Sequence, residues 1–258
     1  MVERIYIYPI KSMDGVSVST ATIGVAGGLA GDREFAFFDE SGNFVNGKRY
    51  PKIIQLRARF DLRTRRVTLR IDGAVTYSLD DDREELAKAV GDFLGIKVGL
   101  RSDPAGFPDD VEAHGPTIVA RETLAEVARW FPELSPAQMP PRFRPSILIG
   151  DCEPFWEDRL VGPKGAPVEF SLGNVNVTGA KICARCAVPA RDPNSAKEHP
   201  RFQRIFVSRR KESIPDWAEP SRFDHFYRLA VNTSIGPSEI GKTIGIGDPV
   251  TLRANAPA

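Results

Sequence analysis

The sequence predicts a β-rich α+β protein, and three observations carry that expectation. The 258 residues include 22 glycines and 21 prolines, which break the chain too often for long helices. The segments between these breaks are short and rich in β-branched and aromatic residues. Only two stretches place apolar residues at the i, i+3, i+4 spacing of an amphipathic helix.

In chain order, strands are expected over Val2 to Tyr8, Val16 to Val25, Arg33 to Phe38, Ile53 to Phe60, Val67 to Ile71 and Val75 to Leu79. Asp14-Gly15, Gly27-Gly28, Ser41-Gly42-Asn43 and Asp72-Gly73 supply the turns. A first helix should start near Asp80 to Asp82, whose carboxylates can cap free N–H groups, and end at Leu94 before Gly95. A second, about Glu122 to Phe131, buries Leu124, Val127, Ala128 and Phe131. The five prolines between Pro132 and Pro145 predict a loop without helix interior. Beyond it, strands are expected at Ser146 to Ile149, Val168 to Phe170 and Val175 to Val177, with Ile244 to Val250 a turn feeding a closing strand.

Hydrophobic residues at 41% and charged residues at 27% are ordinary for a globular chain and exclude bulk disorder. The formal net charge of +1 lacks the footprint of a dedicated nucleic-acid binder, though a local basic patch can still hold one anion. The first residues show no signal-peptide pattern, and no apolar run approaches the ~20 residues of a spanning helix. A cytoplasmic protein without membrane or nucleic-acid partners is the expectation.

Three cysteines, Cys152, Cys183 and Cys186, do not build a disulfide framework. Cys183-Ala184-Arg185-Cys186 has C-x-x-C spacing, yet the remaining cysteine and histidines lack paired ligand spacing for zinc. Pro189, Asp192 and Pro193 follow, where a thioredoxin-like motif needs a helix. A cysteine beside Arg185 and a turn rich in N–H donors is biased toward thiolate. It can serve as nucleophile or soft-metal ligand, or sit inert in the core. Two further sets interrupt strand-like sequence. Tyr8-Pro9-Ile10-Lys11-Ser12 and Gly31-Asp32-Arg33 put cations at strand ends beside glycine turns, which suits a phosphate. Arg142-Phe143-Arg144-Pro145-Ser146 leads into an apolar strand.

The order Tyr-Pro-Ile-Lys-Ser, Gly-Asp-Arg, Arg-Phe-Arg-Pro, then Arg-Cys-x5-Asp-Pro-Asn resembles the MOSC (molybdenum cofactor sulfurase C-terminal) superfamily. Within it, the chain looks like proteins that pair a MOSC domain with its N-terminal β-barrel domain, as in the amidoxime reducing component and its bacterial relatives. The resemblance spans nearly the whole chain, including Ile246-Gly247-Asp248-Pro249-Val250. It implies a smaller N-terminal β-barrel-like domain (1–95) and a MOSC β-barrel (96–258), with molybdenum-molybdopterin between them. It implies Cys186 as metal ligand through sulfur, and Lys11, Ser12, Arg33, Arg144, Ser146, Arg185 and Tyr227 as cofactor-binding positions. Asp192, six residues past the cysteine, is a candidate for orienting the site or passing protons, or a plain turn former.

The activity implied is reduction of small N-hydroxylated compounds, hydroxylamines or amidoximes, with electrons from a separate ferredoxin-, flavin- or cytochrome b5-type protein. A carrier of molybdenum cofactor or sulfur using Cys186 is the alternative. Two departures from the family pattern bear on the site. Ser146 stands where asparagine is expected, and Ala196 replaces a glycine in the Asp-Pro loop. No membrane anchor or cysteine cluster that could supply electrons is visible in the sequence.

Overall fold

A computed structural model describes residues 1–253, and its fold is β-rich α+β. The strands are β1 (Val2–Ile7), β2 (Val16–Val18), β3 (Thr20–Thr22), β4 (Phe35–Asp39), β5 (Arg57–Asp61), β6 (Arg66–Arg70), β7 (Ala74–Ser78), β8 (Val98–Ser102), β9 (Ile118–Ala120), β10 (Ile147–Ile149), β11 (Val168–Leu172), β12 (Val175–Ala184), β13 (Arg228–Ser234), β14 (Thr243–Gly245) and β15 (Val250–Leu252). The helices are α1 (Arg83–Leu94), α2 (Arg121–Arg129), α3 (Met139–Phe143) and α4 (Phe202–Glu212). Among the described residues, no helix is long and apolar enough to cross a membrane.

Eight strands form one mixed sheet in the order β15-β11-β12-β13-β9-β10-β1-β2. Only the β9–β10 neighbours run parallel. Ile5 and Ile7 alternate into the core below the sheet, and a register shift between Val2 and Arg4 brings Val2 into the same core. A second core forms where α2, α3 and α4 cover the sheet, with Phe131 stacked on Phe202 at 4.3 Å. A third lies under β4, the β5–β6–β7 sheet and α1, built on Phe35, Phe37, Val67 and Leu86.

Several expected boundaries shift for physical reasons. Val16 to Val25 is not one strand: β2 pairs with β1 and β3 pairs with β14, the chain changing sheets at Ser19. Ile53 to Phe60 divides because Pro51 starts a 3-10 turn over Pro51–Gln55 before β5. The proline-rich stretch does contain helix. Pro140 and Pro141 occupy the first turn of α3, where no intrahelical N–H bond is required.

Asp82 is the N-cap of α1 but does not cap it; its carboxylate accepts the Ser78 amide at 2.7 Å, while Asp80 pairs with Arg65. The C-terminus follows expectation, with Gly95 left-handed at φ 75°.

Sequence reading missed β8, β9, β13 and α4, and assigned to a turn Ile244 and Gly245, which belong to β14. Strand β13 is buried over both faces, so it shows no alternation. Helix α4 hides its apolar face because Arg210, fully buried, interrupts the pattern. Strand β12 is longer than expected and carries the chain to Cys183. Its Gly179 passes so close to Leu160 that a Cβ would lie 1.6 Å from that carbonyl oxygen, so no side chain fits there.

Candidate functional site

The end of β1 and the start of β4 meet at Tyr8. The Tyr8 amide donates to Asp32 Oδ1 at 2.8 Å, and the Arg33 amide donates to the Tyr8 carbonyl at 2.7 Å. Asp32 Oδ2 also accepts from the Arg33 guanidinium. Two cations then cover the Tyr8 ring, Arg144 at 4.2 Å and Arg33 at 5.0 Å from its centroid. The Tyr8 hydroxyl donates to Pro145 at 3.1 Å, and burial pushes its pKa up to about 12, so it stays neutral. Gly15 is required beside this ring, since a Cβ there would come within 2.6 Å of it.

Three non-glycine residues of this cluster are left-handed: Ser12 at φ 69°, Arg33 at φ 53° and Arg144 at φ 51°. Such backbone costs on the order of 1–2 kcal/mol per residue, and its concentration here fits a site shaped for something other than stability. All three line a cavity of about 440 Å³, as do Lys11, Ser146, Cys183, Arg185 and Cys186.

Charge in the cavity is unevenly matched. Lys11 is buried; its ammonium donates to the Phe107 carbonyl at 3.0 Å and pairs with Asp109. Arg144 has one buried guanidinium nitrogen, Nη2, without any partner. Burial lowers the pKa of both Lys11 and Arg144, so their charge is costly to keep without an anion. The Asp109 side chain is 80% exposed although cavity wall surrounds it, because it stands in the open volume of the cavity. Enclosure pushes its pKa up, and the charges of Lys11, Arg33 and Arg144 outweigh that and hold it low.

Asp109 is therefore a carboxylate competing for an anion site. Asp109→Asn should strengthen binding of inorganic phosphate to the apoprotein about 3- to 10-fold in calorimetry, since the ammonium of Lys11 is released from its carboxylate partner. Unchanged or weaker binding would show that Asp109 does not compete.

The cysteine side is set by β12 and the turn after it. The Arg185 amide donates to the Tyr227 carbonyl at 2.9 Å, and its guanidinium donates to the Phe143 carbonyl at 2.7 Å. A second guanidinium nitrogen lies 3.2 Å from the sulfur of Cys183, so Arg185 engages Cys183 rather than Cys186. Cys186 is exposed and free. Arg142 is buried and donates to the carbonyls of Pro189 (3.0 Å) and Arg191 (2.6 Å). It thereby anchors the segment that follows Cys186.

Two expected site residues lie outside the cavity wall. Tyr227 touches the motif through its backbone; its buried hydroxyl has no partner, and its ring packs edge-on against Phe206. Asp192 builds a turn: Oδ1 accepts the amides of Asn194 (3.1 Å) and Ser195 (2.8 Å), and Oδ2 accepts from Gln138. Bonds from Ser195 dominate in keeping its pKa low, so it is an anion at neutral pH. Ser146 lines the cavity while its amide donates to Thr117 at 3.0 Å.

Tyr8, Asp32 and Asp109 are site residues to which sequence reading gave no role, and Cys183 entered it only through the C-x-x-C spacing. Tyr8 and Asp32 sat inside the quoted motifs, whereas nothing local marked Asp109.

Ala196 holds φ 60° in the loop where a glycine was expected. Ala196→Gly should raise stability by about 0.5–1 kcal/mol, read as a higher urea midpoint, because glycine adopts that backbone without Cβ strain. A lower midpoint would mean that burial of the alanine methyl outweighs the strain.

Family models match the chain in two overlapping stretches, the MOSC N-terminal beta barrel domain over residues 1–135 and the MOSC domain over residues 116–251. The chain belongs to the MOSC family. Similar proteins include mitochondrial amidoxime-reducing component 1 of Mus musculus, 24% identical over 298 residues, covering 97% of this chain and 82% of the relative. The same component of Homo sapiens is 23% identical with the same coverage. Mitochondrial amidoxime reducing component 2 of Bos taurus is 24% identical over 75% of this chain. The MOSC family is associated with the molybdenum cofactor.

Proposed function

We propose that this MOSC protein is a molybdenum-cofactor oxidoreductase that reduces small N-hydroxylated compounds with electrons from a separate protein. The observation that carries the reading is that Cys186 and the cations Lys11, Arg33 and Arg144 line one cavity. The residues fit the group. The partnerless nitrogen of Arg144 and the buried ammonium of Lys11 call for an anion such as the cofactor phosphate, and Cys186 offers a soft sulfur to a metal.

Among the described residues, no three ligating side chains converge. A metal held here would accordingly bring most of its ligands with it. When bound, molybdenum-molybdopterin supplies two-electron oxygen-atom transfer. The chain's part is binding and placement. Lys11, Ser12, Arg33 and Arg144 hold the anionic end, and Ser146 lends a hydroxyl to the cavity wall. Arg185 fixes the turn that presents Cys186, with Tyr227 behind it. Asp192 and Arg142 act as positioning residues by fixing the loop beyond the cysteine. The two halves expected from the sequence, 1–95 and 96–258, both contribute side chains to the cavity. A cytoplasmic location and a ferredoxin-, flavin- or cytochrome b5-type donor complete the proposal.

The carrier reading draws on a different observation, the exposure of Cys186, which lets another protein reach its sulfur. One experiment separates the two. Protein from a host that makes molybdopterin is assayed for metal by elemental mass spectrometry, and for viologen-driven reduction of an amidoxime and a hydroxylamine. About one molybdenum per chain with turnover supports the reductase. Metal without turnover supports the carrier, and neither, with cofactor supply verified, overturns both molybdenum readings.

A further inference from the structure

On the far side of the Cys186 loop lies the outward face of β5 and β6. Register pairs Arg57 directly with Arg70, and the β alternation puts Arg59 and Arg66 on the same side. Like charges directly opposite one another destabilise a sheet, so strand pairing does not explain the Arg57–Arg70 pair; Asp61, opposite Arg66, is the one carboxylate these two strands place on the same face. Arg57 has a carboxylate partner, Asp14 at 3.1 Å. Arg59, Arg66 and Arg70 have none within ion-pair distance among the described residues, although the whole chain carries a net charge of only +1.

The face is continuous with the candidate site. Arg57 donates to the Pro193 carbonyl at 2.9 Å, Gln55 donates to the Ser195 carbonyl at 3.0 Å, and Pro193 lines the cavity.

We infer that the arginine face of the β5–β6 hairpin is the docking surface for a small acidic electron-transfer protein. The inference rests on the oxidoreductase reading and adds to it the place where electrons are delivered. A carboxylate-rich partner matches the charge, and a sheet face offers the flat, rigid platform of a transient protein encounter. Other polyanions match it less well. Phe60 and Val67 point into the core, so no aromatic ring stands on this face to stack on nucleic-acid bases. Its remaining outward side chains include Asp61 and the pair Thr68 and Thr76, bonded to each other at 2.8 Å, which give a bilayer no apolar group to bury.

The test uses the full chain and the double variant Arg59→Glu/Arg70→Glu. Arg70→Glu places a carboxylate opposite Arg57, so the sheet exchanges a repulsive pair for an attractive one and the fold is retained. The probes are an acidic [2Fe–2S] ferredoxin, basic cytochrome c as the opposite-charge control, and anionic phosphatidylglycerol vesicles. The parent should bind ferredoxin with an affinity that falls as salt rises, the variant should bind at least about tenfold more weakly, and cytochrome c should not bind. Equal affinity of parent and variant, or no binding by the parent, overturns the inference. Vesicle binding lost in the variant while ferredoxin binding is unchanged overturns it in favour of a membrane surface. Viologen-driven turnover is scored separately. Its absence from a protein that binds ferredoxin through these arginines refutes the oxidoreductase reading and leaves the docking surface standing.

Discussion

Replacing Cys186 by alanine should abolish turnover while much of the pterin stays bound, whereas Arg144→Met should release the pterin. The two ends of the cavity account for the difference. Cys186 contributes one exposed sulfur that is in no disulfide. Under the proposed function its loss removes the metal's protein ligand but leaves Lys11, Arg33 and Arg144 at the other end of the cavity. Turnover should fall more than about 10³-fold, since the metal then lacks its placement at the reacting centre.

Arg144 is the cation whose Nη2 has no protein partner, so an anionic ligand is the group that satisfies it. Removing a buried charge-assisted hydrogen bond costs about 2–5 kcal/mol of binding, or roughly 30-fold to several thousand-fold in affinity. The same substitution should make the apoprotein more stable, because it removes a desolvated cation that faces Lys11 and Arg33. Pterin fluorescence after denaturation, molybdenum content and thermal midpoint separate the outcomes. Retention of pterin by Arg144→Met, or a lower apoprotein midpoint, would refute the assignment.

Glu157→Gln should flatten the dependence of stability on pH between about 4.5 and 8. Glu157 is fully buried, and its Oε2 accepts from Thr123 at 2.8 Å and from the Ala120 amide at 3.3 Å. Burial, reinforced by the neighbouring Asp158, raises its pKa to about 8; Arg210 pairs with Asp158 and opposes the rise only in part. The folded protein thus keeps a proton on Glu157 that the unfolded chain releases near pH 4.5. Stability contributed by that proton is present at low pH and is lost as pH rises through this window. Glutamine mimics the neutral acid at every pH, so the variant should exceed the parent by about 2–4 kcal/mol at pH 9 and match it near pH 5. Urea denaturation at pH 5, 7 and 9 measures this directly. Parallel curves for the two proteins would refute it. Glu239, whose bonds to Lys242 and Asn176 hold it at about 2, acts with the opposite sign and below pH 4.5, outside that window.

The strand-rich class and the cationic end of the cavity were legible because their signals are local. Turn residues bracket the short strands, and Lys11, Ser12 and Arg33 sit at strand ends where a break in apolar pattern marks them. The remainder depends on partners far away in the chain. Asp109 reaches Lys11 from 98 residues downstream, on a loop whose sequence resembles any acidic turn. Arg185 reads as the neighbour of Cys186, yet its side chain turns back to Cys183 and Phe143. Helix α4 was hidden by Arg210, a charge at a core position that only the buried Asp158 explains. Pro140 and Pro141 misled for the opposite reason: the rule against proline applies to helix interiors, and these two lie at a helix start.

The pairing of β1 with β10 has a consequence for how the molecule is made. On one edge β1 pairs at once with β2, but on the other Val2 faces Ile149 and Ile5 faces Ile147, so that edge waits for a partner more than 140 residues behind it. At ordinary synthesis rates that delay is roughly 10–30 s, during which β1 has only the short β2 beside it. Closing this long loop is a late and slow event. Tyr8, Lys11 and Ser12 follow directly on β1, so the anion cradle is assembled only when that strand docks. A ligand that needs both Lys11 and Arg144 can then be held only after β10 has been made and β1 has docked on it.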